Sequence, residues 1–133
     1  MTVQDFIVIY NETFKYIEEK YGKNDVKDLW ATISRQYCIP LRELIAEKGI
    51  EGMYEYWGSA LSEEKADFEV SLNDGVFAMD MHNCPSIAEL KKRNREIYRG
   101  KLSYCQHCPA LYPPVAKDFG FDMQYSIQYD SSG

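Results

Sequence analysis

The stretch FEVSLNDGVFAMDM, residues 68–81, decides the architecture. Apolar Phe68, Val70 and Leu72 alternate with polar Glu69 and Ser71, the period of a strand with one buried face. Asp74-Gly75 then supplies two adjacent residues that tolerate positive φ, the signature of a two-residue hairpin loop. That loop fixes a register: Asn73 opposite Val76, Leu72 opposite Phe77, Val70 opposite Met79 and Phe68 opposite Met81. Every large apolar residue except Val76 then shares one face, and a one-residue slip would spoil the match. The other face carries Glu69, Ser71, Val76, Ala78, Asp80 and His82.

Upstream the apolar period is close to 3.6. Val3, Phe6, Ile7, Tyr10, Phe14, Ile17 and Tyr21 predict an amphipathic helix over residues 2–22, capped by Thr2 and stopped by Gly22. Further helices are expected over 24–37, ended by Pro40, over 41–48, and over 50–59, where Gly52 and Gly58 weaken the pattern. Downstream, a helix is expected over 87–98, closed by Gly100. A short helix follows the Pro113-Pro114 break over 114–119, and a last strand alternates from Phe121 to Tyr129. The expectation is one domain over 1–133, mainly helical to residue 66. Its class is α+β: N-terminal helices on an antiparallel sheet of at least three strands. A cysteine-bearing helical segment lies between hairpin and last strand.

Composition narrows the functions. The 133 residues carry a net charge of −6, which repels a phosphate backbone, so no nucleic-acid partner is expected. The basic run Lys91-Lys92-Arg93 reads as a solvated helix face. No apolar run approaches the ~20 residues of a membrane span. No basic cluster precedes the first apolar residues, so a secretory leader is not expected. Four cysteines without such a leader suggest a reducing, cytoplasmic setting, where thiols serve metals or chemistry. Cys38 alone reads as a buried small hydrophobe.

Chemistry concentrates between Asp80 and Cys108. Three of the four cysteines and both histidines fall within these 29 positions. Cys105-x-x-Cys108 is a common half-site for zinc, because two thiolates on a short turn can share one tetrahedral ion. Cys84 supplies a third thiolate. His82 has the same strand parity as Cys84, and His107 lies inside the turn. A divalent metal, zinc first, held by Cys84, Cys105, Cys108 and His82 is one expectation. Asp80, His82 and His107 are then the candidate catalytic acid–base groups. Unliganded thiols, or a redox dithiol with Cys105 attacking from a helix N-terminus, are the others. A 12-residue helix after Cys84 travels ~18 Å, which works against bringing Cys105 back.

At these residues the C-terminal half resembles the L-2-amino-thiazoline-4-carboxylic acid hydrolase-like family. The likeness lies in the hairpin ending in Met81-His-Asn-Cys-Pro85, the helix after it, Tyr104-Cys-Gln-His-Cys108, and Gly120-Phe121 leading into the final strand. It implies metal-assisted hydrolytic opening of a small cyclic C–N substrate. Family members continue past the last strand to another cysteine, whereas this sequence ends at Gly133. The order of elements is also similar to small sensor domains of the 4-vinyl-reductase type, which implies a small-molecule or metal-binding module without turnover. A small-molecule ligand is expected on either reading, and homo-oligomerisation is compatible with both.

Overall fold

The computed structural model describes residues 2–128. Six α-helices and one hairpin make up its regular structure: α1 Val3–Tyr21, α2 Lys23–Gln36, α3 Ile39–Lys48, α4 Ile50–Glu63, β1 Asp67–Asn73, β2 Val76–Asn83, α5 Pro85–Lys92 and α6 His107–Asp118. A single 3-10 turn, Tyr104–Gln106, leads into α6.

The hairpin keeps the predicted register. Leu72 pairs with Phe77, Val70 with Met79 and Phe68 with Met81, with Asp74 and Gly75 at φ 51° and 74°. Its apolar face packs on α4, where Trp57 stacks on Phe77 at 5.7 Å. Among the described residues, however, the sheet has two strands, not three or more. Residues 121–128 make no ladder, and Tyr129 lies outside the described residues. Phe121 and Met123 still pack on the core. Their alternation therefore records one buried side of an extended segment, not pairing to a neighbour.

Several helix boundaries also differ from expectation: α3 takes in Pro40, α4 runs on to Glu63, and α5 and α6 differ most. α5 ends at Lys92, six residues early, because Asn94 turns left-handed at φ 54° and the Arg95 N–H bonds back to the Leu90 carbonyl at 2.9 Å. α6 runs from His107 straight through Pro113 and Pro114. The prolines remove the N–H groups that the Pro109 and Ala110 carbonyls would accept in a regular helix. The next carbonyl, Leu111, accepts the Ser34 hydroxyl from α2 at 2.7 Å, tying the two helices where α6 is weakest.

The core centres on Phe14, which is fully buried. Its ring meets Tyr10 at 5.5 Å, Trp30 at 5.4 Å, His107 at 5.7 Å, Tyr104 at 5.8 Å and Tyr98 at 5.9 Å. From the same helix, Asn11 donates to the Glu96 carbonyl at 2.8 Å and accepts the Tyr98 N–H at 2.7 Å. Glu18 accepts the Tyr98 hydroxyl and the Lys101 N–H, both at 2.9 Å. These bonds fasten the segment after α5 along α1. Among the described residues two buried donors, Trp30 Nε1 and Arg42 Nε, have no partner. Such a group costs about 1–3 kcal/mol.

The two glycines of α4 have different roles. Gly52 is buried at the crossing with α3, where a Cβ would overlap the Leu44 carbonyl. A Cβ at Gly58 meets nothing within 4 Å. Gly58→Ala should therefore stabilise the fold by about 0.5–1 kcal/mol through helix propensity. Gly52→Ala should destabilise it by about 1–3 kcal/mol through overpacking. Urea unfolding of both variants checks the pair; equal shifts of the same sign would contradict the close-approach account.

Candidate functional site

The predicted residues separate into two groups. His82 and Asp80 lie on the exposed outer face of the hairpin. His82 Nδ1 bonds Asp67 at 3.1 Å, and its Nε2 lies 3.7 Å from Asp80 and 3.8 Å from Glu69. The Asp67 hydrogen bond, then the surrounding carboxylates, raise the His82 pKa. Parity with Cys84 does not carry over, for a local reason. Asp67 pairs with Asn83 and Phe68 with Met81, which leaves His82 as the extra residue of a bulge. Cys84 then leaves the strand altogether and caps α5.

The second group forms where the base of the hairpin meets α6. The early end of α5 removes the distance objection: eight residues travel only ~12 Å, and eleven more bring the chain back to Tyr104. Cys84, Cys105 and Cys108 are half-buried and close enough to act on one another electrostatically. Burial raises the Cys84 thiol against the pull of the Ile87 and Ser86 amides. Burial, then Cys84, raises Cys105, with Arg99 opposing. Burial, then Cys84, Cys105 and Glu64, push Cys108 up to about 12. Glu64 itself is raised by burial and by Glu63. Tyr104, Tyr112 and Tyr125, all raised chiefly by burial, feel the Cys108 charge. The centre is a set of acids whose charged forms burial disfavours.

Cys108 has one specific partner. The two nitrogens of buried His107 face different groups: Nδ1 is 2.5 Å from the Tyr104 carbonyl, and Nε2 is 3.6 Å from Cys108 Sγ. A carbonyl only accepts, so Nδ1 carries the proton and Nε2 presents its lone pair to the thiol. Burial lowers the His107 pKa, with the Tyr104 carbonyl opposing. A thiol, an imidazole lone pair and a group that fixes the tautomer are the parts of an activated nucleophile.

Cys105 sits in the 3-10 turn, not at a helix N-terminus, and with a raised pKa it lacks the thiolate that a redox dithiol needs. All four cysteines are free thiols, and Cys38 is buried, as read from the sequence. Zinc favours thiolate donors, yet among the described residues no group of three or more His, Cys, Asp or Glu side chains is placed to hold a metal ion. Sequence reading missed Glu64 and Tyr112. Glu64 had no signal, lying twenty residues before Cys84.

No helix among the described residues is long and apolar enough to cross a membrane. Comparison with protein-family models, with curated proteins and with solved structures returned no significant match.

The two histidines should titrate on opposite sides of the ordinary value of about 6.5. His82 titrates above it and His107 below it, readable from their ring-proton shifts in NMR. Because the folded-state pKa of His107 is depressed, the unfolded chain binds that proton more readily. The His107 contribution to stability is present above the unfolded pKa and lost as pH falls below it. His107→Gln should flatten the loss of stability between about pH 7 and 5; an unchanged slope would count against a buried neutral imidazole.

Proposed function

We propose that the chain is a hydrolase of a small cyclic C–N substrate, with Cys108 as the attacking group and His107 as its base. The observation that carries this reading is the oriented pair: Nδ1 fixed by the Tyr104 carbonyl and Nε2 facing Sγ at 3.6 Å. A thiol with a pKa near 12 is not a thiolate at neutral pH, so the proton must leave during attack, not before it. As Sγ adds to the amidine carbon, its proton moves to His107 Nε2. The imidazolium returns that proton to the departing nitrogen as the C–N bond breaks. Water then adds to the same carbon, His107 takes its proton, and the bond from Cys108 Sγ to that carbon breaks as His107 returns the proton to Sγ, restoring the thiol. Glu64 suits a cationic amidine, since a positive charge beside it would favour its ionised form. The resemblance to thiazoline-carboxylate hydrolases supports this substrate class.

A second reading, a binding module without turnover, is favoured by a different observation. Burial and nearby acids disfavour the thiolates: Glu64 acts on Cys84 and Cys108, and Cys84 acts on Cys105 and Cys108, so a bound cation, organic or a soft metal such as zinc, would favour their ionised forms.

The test is incubation with L-2-amino-thiazoline-4-carboxylate, followed by NMR. The expected outcome is ring opening that falls at least ~100-fold in Cys108→Ser and His107→Gln, the usual range for losing a positioned base. Cys38→Ser should keep its rate. Full activity in Cys108→Ser would remove the thiol mechanism. Saturable binding without ring opening would favour the second reading.

A further inference from the structure

α6 has a second side. Gln106, Ala110, Pro114 and Asp118 recur every four residues and so form one stripe, while Cys108 and Tyr112 fall on the opposite one. The first stripe, with α2 and the start of α3, walls a cleft of about 740 Å³. Its apolar surface includes Ala31, Leu102 and Pro109, and three of its side chains are cationic: Lys27, Arg35 and Arg42. Asp118 is the one acid in the lining, and it is already paired with Arg42 at 2.7 Å. A surplus of positive charge in one concavity of a chain with net charge −6 is a local feature that composition alone would not place there.

Two further observations point to an acceptor-bearing ligand. The two buried donors without partners, Trp30 Nε1 and Arg42 Nε, both belong to residues lining this cleft. Trp30 is only 2% exposed. Neither atom is open to solvent, so an acceptor reaches them only as the cleft's side chains adjust around it. Lys27 and Arg35 carry no ion pair among the described residues and stand exposed at the rim. Size fits as well: small-molecule clefts run from roughly 300 to 1,000 Å³.

We infer that this cleft binds a small organic carboxylate, with the anion at Lys27 and Arg35 and the apolar body against Ala31, Leu102 and Pro109. A bare inorganic anion would use the cations and leave the apolar wall idle, so the carboxylate with a hydrocarbon body is the better fit. The site lies across α6 from the thiol centre and does not depend on the hydrolase reading.

The experiment is an NMR titration of the full chain with benzoate, and separately with inorganic phosphate, at constant ionic strength. The Trp57→Phe variant assigns the Trp30 indole N–H. Benzoate should move that signal saturably, with a dissociation constant at or below about 1 mM, and phosphate should bind at least ~10-fold more weakly. Lys27→Ala/Arg35→Ala, both at exposed positions, should weaken benzoate at least ~10-fold with an unchanged circular dichroism spectrum. Either absence of saturation by ~10 mM benzoate or an unaltered affinity in the double variant would overturn the assignment. Equal affinity for phosphate would also overturn it, reducing the cleft to a patch of positive potential.

Discussion

One buried amide holds the site together. Asn11 has no exposed surface, and a helix interior is a poor place for such a side chain unless both of its ends are satisfied. Here both are, by the Glu96 carbonyl and the Tyr98 N–H. An unpaired buried group costs about 1–3 kcal/mol, so the chain after α5 is held in this one position on α1. Glu18, seven residues further along the same helix, takes the Tyr98 hydroxyl and the amides of Lys101 and Leu102. The path of residues 95–103 is thus set by polar groups of the first helix, and that path returns Cys105 and Cys108 to Cys84. A Cβ at Gly100 would collide with the Glu18 carboxylate, so even the absence of a side chain there belongs to the same clamp.

The core and the candidate site share their atoms. Phe14 touches His107 and Tyr104, and Tyr104 touches His107 at 4.7 Å. The packing that stabilises the domain is therefore the packing that desolvates the imidazole and lowers its pKa. The same burial raises Cys108. An exposed thiol–imidazole pair would drift toward thiolate and imidazolium; this buried one stays neutral on both sides. The consequence is a base that is always free to accept a proton and a thiol that is rarely ready without it.

The hairpin register was legible because Asp74-Gly75 admits one loop geometry and alternation admits one inward face. The last segment was misread because alternation reports one-sided burial, and Phe121 and Met123 achieve that against the core without a partner strand. α6 was misread because prolines break helices through missing N–H groups and ring clashes, and neither effect reveals a compensating bond such as Ser34 to Leu111 from 77 residues away. At the site, the cysteines and His107 stood out by type. The division between His82 and the thiols did not, because it depends on a one-residue bulge at the foot of the hairpin, which no local composition announces. Asn11 was invisible for the opposite reason: a polar residue on an apolar stripe reads as noise until its partners are known.

α6 separates two unlike environments, a cleft with cationic side chains and a buried group of thiols, and its sequence explains how one helix can do so. Side chains four apart line the cationic cleft, and those two residues out of step face the thiols. The prolines enter on the cleft side at Pro109 and Pro114, where the helix needs bulk without charge. Pro113 and Pro114 leave the Pro109 and Ala110 carbonyls without their usual amide donors, and both of those residues line that cleft. On the other side the same helix starts with His107 and Cys108 in its first turn, where the positive end of the helix dipole favours negative charge. That field opposes the rise in the Cys108 pKa, and burial with neighbouring acids outweighs it. In the proposed reaction it would act again as charge builds on sulfur.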